Sequence, residues 1–259
     1  ILPVECVQIR VCTITLAWQV FPDAPVALGA NRDELLDRPS EPPEQRDWEA
    51  TVVAPKDTRA AGTWLGYNED GLLVTITNRW DGREREGARS RGLLVRDALA
   101  CESAEAAVRF VERELDARTY EGFHLLAADS NAALLVEFDG ATRVRTLGPG
   151  VHVVVNVGAD GEYDIPAYRE DAGRQQAENA EAVRVALRPE PGEDADGWLT
   201  RAGEVLGDHE YGVCLHGDGF GTRSSSLVRL GETPRFEYAD GPPCRTDYER
   251  VTPSPSFPP

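Results

Sequence analysis

The order of elements along the chain predicts an α+β fold: a four-layer αββα sandwich of two antiparallel sheets packed face to face, with helices outside. Two observations carry this expectation. Strand-length apolar runs come in blocks, separated by blocks of helical periodicity, whereas a doubly wound parallel sheet alternates single strands with single helices. In addition, Asn68-Glu69-Asp70-Gly71 is a turn signal between two neighbouring apolar runs, residues 63–67 and 72–77, and so makes an antiparallel hairpin. The length of 259 residues, 41% of them apolar, suffices for a sizeable core, since a chain of this size buries roughly three quarters of its unfolded surface.

Residues 13–20 and 26–30 are β-branched or apolar runs of strand length. Residues 90–100 carry Leu93, Leu94, Asp97 and Ala98 at helical spacing, and Ser103 caps a second helix through Ala107, Val111 and Leu115. Strand-like runs follow at 123–128, 132–138, 142–147 and 151–156. Residues 166–187 keep Ala177, Ala180, Val183 and Leu187 on one helical face. Residues 189–197 read as an acidic loop, 198–206 as a helix, and 211–216, 225–230 and 235–239 as strands. One domain is expected over residues 12–250, with a disordered Pro/Ser-rich tail over 251–259.

Asp and Glu number 45 against 27 Lys and Arg, a net charge of −18, and Lys56 is the one lysine. An acidic, lysine-poor surface stays hydrated in concentrated salt, where screening removes most of its self-repulsion. The composition therefore reads as a halophile's cytoplasmic protein, with an ordinary acidic protein of arginine-biased usage as the plainer alternative. The same field disfavours a nucleic-acid partner, because a phosphate backbone selects a basic surface. No apolar run approaches the ~20 residues of a membrane span. Residues 1–10 lack the pattern of a secretory signal, and nothing selects an oligomeric state.

Cys6, Cys12, Cys101, Cys214 and Cys244 give no disulfide framework and no CxxC pattern. His216 lies near Cys214 and Asp218, an arrangement more often found at a strand end than around a metal, so no metal and no cofactor are expected. The sequence contains no methionine. Residues 1–11 are read as a leader or as upstream read-through before an alternative start at Val11, and both accounts end at Cys12.

If Cys12 becomes the first residue, its thiol and its α-amine share one residue. An α-amine with an unperturbed pKa of about 7.7–8.0 can act as general base for the thiol without any histidine. The plain alternative is a small buried residue at a strand start. Asn31-Arg32-Asp33-Glu34 directly follows the strand at 26–30, and pairing of that strand with the first brings Arg32 and Asp33 to Cys12. There Arg32 can lower the thiol pKa and Asp33 can hold the ammonium; the alternative is a surface ion pair of less than ~1 kcal/mol. Trp64 sits between Gly62 and Gly66, as an aromatic wall or as core. Asn78 and Asn156 end strands, as turn residues or as donors to an oxyanion. Gly219 to Ser226 leads into a strand rather than a helix and so fails as a phosphate loop; Arg223 there can anchor a carboxylate or orient the nucleophile.

Cys12-Thr13-Ile14, Ala30-Asn31-Arg32-Asp33-Glu34, Arg38-Pro39, Gly62-Thr63-Trp64-Leu65-Gly66, Thr77-Asn78, Ser90-Arg91-Gly92, Gly122-Phe123-His124-Leu125-Leu126 and Gly221-Thr222-Arg223-Ser224-Ser225 occur in this order. Together they closely resemble the NRDE family, also called the Transport and Golgi Organisation protein 2 family. That family resembles, more distantly, the choloylglycine and penicillin-V acylase group of N-terminal-nucleophile hydrolases. The resemblance implies a catalytic set of Cys12, Arg32, Asp33, Asn78, Asn156 and Arg223; Asn31, Glu34, Trp64 and Trp80 are read as facing a small-molecule substrate, with Trp18 as a further wall. Val157-Gly158 departs from the acylase continuation after Asn156, and Glu34 has no role in that pattern. The implied activity is hydrolysis of non-peptide linear amide bonds through an acyl-thioester on Cys12. The alternative is a non-catalytic binding or carrier protein, since the family is linked to lipid, acyl-coenzyme A and haem handling.

Overall fold

Alternation in Thr13-Ile14-Thr15-Leu16-Ala17 sends Ile14 and Leu16 to one side and the threonines to the other, which is the period of a strand covered on both faces. A computed structural model describes residues 12–82 and 87–252. Strand β1 (Thr13–Phe21) pairs antiparallel with β2 (Ala24–Leu35) and β10 (Gly150–Val155). Strands β11 (Gly158–Ala159) and β12 (Glu162–Tyr163) extend this sheet beyond β10. Beyond β2 lie β13 (Phe220–Leu230), β14 (Arg235–Ala239) and β15 (Glu249–Val251).

The second sheet is also antiparallel and runs in sequence order. It comprises β3 (Ser40–Asp47), β4 (Thr51–Asp57), β5 (Leu65–Asn68), β6 (Leu73–Asn78), β7 (Phe123–Ala128), β8 (Ala133–Phe138) and β9 (Thr142–Thr146). The expected β5–β6 hairpin is present, with Gly71 taking the positive φ of 77° that its turn requires.

Four helices cover the outer faces of the described residues. Helices α1 (Arg91–Ala98) and α2 (Ala104–Ala117) pack on β6, β7 and β8, while α3 (Glu170–Ala186) and α4 (Ala195–Gly207) pack on β10, β2 and β13. Ser90, Ser103 and Asp194 cap α1, α2 and α4 by accepting from Gly92, Ala106 and Gly197 N–H groups. Three apolar layers follow. Leu16, Leu28, Leu73 and Leu135 fill the space between the sheets, Trp198 and Leu206 of α4 join Val153 and Val155 in a second layer, and Leu94 of α1 and Val111 of α2 join Phe123 in a third. This is the expected αββα sandwich. No helix among the described residues is long and apolar enough to cross a membrane.

Several local expectations change. β2 runs through Leu35, so Asn31 to Glu34 lie inside a strand rather than after one. β3 and β4 were not anticipated. β3 is an edge strand whose Pro42 and Pro43 sit at a register shift between Glu41 and Glu44, where no ladder donor is needed. Residues 211–216 form no regular strand; a 3-10 turn, His209–Tyr211, ends at Gly212 in the left-handed region. α4 starts three residues before Trp198. Trp18 is a core residue, with its Nε1 donating 2.8 Å to the Asp129 carbonyl, and is not a pocket wall. Val251 closes β15, so the predicted tail begins inside a strand. Residues 1–11 and 253–259, expected to be leader and tail, lie outside the described residues.

Candidate active site

The β1–β2 register sets Thr13 opposite Asn31, and the β1–β10 register sets Ile14 opposite Val154. One step beyond the first ladder and two beyond the second, Cys12 therefore meets Arg32 on one side and Asn156 on the other. A small cleft of about 80 Å³ between the sheets brings Cys12, Asn31, Arg32, Asp33, Glu34, Trp64 and Asn78 together. At that volume it has room for a reacting group rather than a whole ligand.

The second sheet supplies the facing wall. Arg32 lies over the Trp64 ring with its guanidinium carbon 4.0 Å from the centroid. Its Nη2 is 3.9 Å from both Glu34 Oε2 and Asp57 Oδ2, and Asp57 also accepts from Arg38 Nε at 2.7 Å. Burial works against the Arg32 cation, and Glu34, Cys12 and Asp57 counter it. Trp64 is held at this spot by glycine. A Cβ on Gly62 would stand 2.2 Å from the Gly92 carbonyl carbon, so the two motif glycines let two backbones touch, and Thr63 N–H donates 3.0 Å to Gly92 O.

Asn156 is wholly committed. Its Oδ1 accepts from the backbone nitrogen of Cys12 at 3.0 Å and from Gln176 Nε2 at 2.9 Å, while its Nδ2 donates to Thr77 Oγ1 and to the Asn78 carbonyl at 3.0 and 2.6 Å. No N–H remains for an oxyanion. Asn156 instead positions the Cys12 nitrogen, which corrects the donor role expected for it. Asn78 lines the cleft, and its side-chain amide makes no hydrogen bond among the described residues.

Asp33 is buried at 2% exposure, accepts 2.6 Å from Thr222 Oγ1 through Oδ1, and leaves Oδ2 without a partner. Burial pushes its carboxyl up to about 8, against the Thr222 hydrogen bond and Arg32. The half-buried Cys12 has its Sγ 3.7 Å from the Asp33 carbonyl. Desolvation, aided by the Asp33 charge, pushes the thiol up to about 12, with the Asp33 backbone contact and Arg32 opposing. A thiol in that state carries almost no thiolate at neutral pH.

Two expected site residues lie elsewhere, and a third lines the cleft with its amide nitrogen committed to the fold. Arg223 is the extra residue of a bulge between Thr222 and Ser224, and its Nη1 donates 2.6 Å to Asp240 Oδ1 outside the cleft. Asn31 touches the cleft, but its amide nitrogen is spent on the Leu206 and Val213 carbonyls, tying β2 to α4 and the segment after it. Trp80 donates its backbone N–H to Asn156 O and faces a separate cavity of about 330 Å³ on the other side of the first sheet. That cavity is bounded by Val155, Gln176, Val213, Leu215 and Phe220. Thr13 Oγ1 and Gln176 Oε1 also border it, and both are buried without partners. Gln176 and Asp57 gave no sequence signal, since each reaches the site only through the tertiary fold.

The fold recurs among solved structures. A Caenorhabditis elegans N-acylethanolamine-hydrolyzing acid amidase ortholog superposes with a TM-score of 0.57 at 14% identity, over 84% of this chain and 92% of that one. The likeness is one of fold, the sandwich of two antiparallel sheets between helical layers. In sequence, the Mus musculus Transport and Golgi organization 2 homolog is 33% identical over 106 residues, and the Bos taurus homolog 33% identical over 109 residues. These matches span 39% and 40% of this chain, and only 38% and 39% of the mouse and cattle proteins. The family model for Transport and Golgi organisation 2 matches residues 11–240, and the chain belongs to that family.

Proposed function

We propose that the protein is an N-terminal-cysteine amidohydrolase that cleaves non-peptide linear amides through an acyl-thioester on Cys12. The observation that carries this reading is the pairing of Cys12 with Asn156 and Asp33. The Cys12 nitrogen is already oriented by the Asn156 side-chain oxygen Oδ1, and the same cleft holds the buried Asp33 carboxyl, one oxygen of which is unpartnered. Once residues 1–11 are absent, that nitrogen is an α-amine. It takes the thiol proton as sulfur attacks the amide carbon, and the Asn78 amide donates to the oxyanion. The C–N bond breaks as the α-ammonium returns the proton to the leaving amine. Water then adds to the thioester with the same amine as base, releasing a carboxylic acid and free Cys12. Asp33 stabilises the ammonium between these steps, and Arg32 favours the thiolate. The C. elegans neighbour is named for hydrolysing N-acylethanolamines, which are amides of this kind.

The test has two parts. Intact mass reports whether Cys12 is the first residue, and iodoacetamide at neutral pH reports whether its thiol is fast. Cys12→Ala should abolish turnover across a panel of N-acyl amides while leaving ligand affinity within a few-fold; turnover that survives it sinks the reading. A second reading, a non-catalytic binding or carrier protein for an apolar small molecule, draws support from the 330 Å³ cavity and from a thiol held near 12. An unreactive Cys12 with residues 1–11 retained favours that reading. The −18 charge supports a salt-rich cytoplasmic setting, for which stability rising with KCl is the check.

A further inference from the structure

The turn after α4, the start of the loop leading to β13, and the segment following β14 converge on one point. His209, Cys214, His216 and Cys244 each present one donor atom there, and these four atoms all lie within 4.8 Å of one another. His209 Nε2 is 3.2 Å from His216 Nε2, which in turn is 3.1 Å from Cys244 Sγ and 3.9 Å from Cys214 Sγ. Metal–nitrogen bonds of ~2.0 Å and metal–sulfur bonds of ~2.3 Å at tetrahedral angles separate the ligand atoms by roughly 3.3–3.8 Å. The three measured distances fall around that range. We propose that these residues form a structural Cys2His2 zinc site, distinct from the Cys12 cleft.

The donor chemistry selects the ion. Two thiolates and two neutral imidazoles in a tetrahedron suit zinc, and the two negative charges offset the divalent ion. Binding releases the two thiol protons to solvent and involves no redox change. Four protein donors leave no open position, so the ion acts as a clamp rather than as a catalyst. It joins the Cys214–His216 segment to Cys244, 28 residues further along the chain. The clamped segment walls the 330 Å³ cavity with Leu215 and His216. Leu215 also exchanges two hydrogen bonds with Thr222, donating to its Oγ1 at 2.8 Å and accepting from its N–H at 2.9 Å. Thr222 of β13 is the residue that donates to Asp33, so the clamp braces the loop that is bonded to the holder of the cleft's buried carboxyl. The sequence showed Cys214 beside His216, but Cys244 is remote and the spacing follows no zinc-finger pattern.

The full chain, expressed with zinc, purified under reducing and oxygen-free conditions and dialysed against metal-free buffer, should retain about one zinc per chain by elemental analysis. Cobalt(II) added to the metal-free protein should give thiolate charge-transfer and tetrahedral d–d absorption that zinc displaces. Cys244→Ser and His216→Ala should each lose the bound ion while keeping native far-ultraviolet dichroism, as should His209→Ala at an exposed position. Removing zinc should speed amide exchange at Leu215 and Thr222. The proposal falls if the wild-type chain retains no zinc, or if all three variants keep a full complement. It also falls if mass analysis finds Cys214 and Cys244 joined as a disulfide in that preparation, or if exchange at Leu215 and Thr222 is indifferent to the metal.

Discussion

Asp33→Asn should remove a fall in stability between pH 4 and 8 from the chain in which the Cys12 nitrogen is still an amide. The folded carboxyl is pushed from 3.8 to about 8 by burial. Between those values the folded state holds a proton that the unfolded state has released. The slope of unfolding free energy against pH is then negative, about −1.4 kcal/mol per pH unit for one proton. The Asp33 contribution is fully present below pH 4 and is lost as pH rises through 8. Over the roughly four intervening units the ceiling is on the order of 6 kcal/mol, which relaxation around a buried charge reduces. Asparagine keeps an oxygen for Thr222 Oγ1 and never ionises, so wild type minus variant isolates this one group. The assay is urea unfolding at 25 °C from pH 4 to 9 in molar KCl, where screening suppresses the contribution of the exposed acidic residues. A difference curve that is flat, or that rises with pH, refutes the assignment of Asp33 as a buried, proton-holding acid.

Two other substitutions test how the cleft is held. Gly62→Ala forces a Cβ to 2.2 Å from the Gly92 carbonyl carbon and should cost more than about 3 kcal/mol by denaturant unfolding, whereas Gly148→Ala, with nothing within 4 Å, should stay within about 0.5 kcal/mol. Asn156→Ala removes an amide that makes four hydrogen bonds to Cys12, Gln176, Thr77 and Asn78, and should destabilise by about 3–5 kcal/mol and lower turnover together; a variant as stable as wild type would show that the amide does not bind β1 to β6.

The layered fold was legible because its signals are local. Ser90, Ser103 and the Asn68–Gly71 turn declare helix starts and a hairpin within a few residues, and short apolar runs such as β7, at six residues, have the length of a covered strand. β3 was not legible: at the edge of its sheet it needs neither β-branched residues nor every N–H, so Ser40-Glu41-Pro42-Pro43-Glu44 carries none of the usual marks. The strand expected at 211–216 is interrupted at its start, where the 3-10 turn His209–Tyr211 closes on the left-handed Gly212. Within the cleft, pairing β2 with β1 was enough to bring Arg32 and Asp33 to Cys12. Arg223 went astray because a one-residue bulge re-aims a side chain, and no composition or period announces a bulge.

The electrostatics of the cleft give its chemistry a direction. With an amide nitrogen at Cys12, burial raises the thiol and the Asp33 carboxyl alike, so at neutral pH both groups favour their protonated forms. Neither can be relieved by the other, since ionising Asp33 raises the thiol further. Arg32 is already shared among Glu34, Asp57 and the Trp64 face. What the pair lacks is a second positive charge near the unpartnered Asp33 oxygen. On the reading proposed above, exposing the α-amine of Cys12 supplies that charge. An ammonium beside Asp33 lowers the carboxyl, and an Asp33 neutralised by the ammonium no longer opposes the thiolate. The same amine, once it gives up its proton, becomes the base. Removal of the preceding residues would then act as an electrostatic switch as well as a steric one, turning two mutually silencing acids into a nucleophile and its counter-ion.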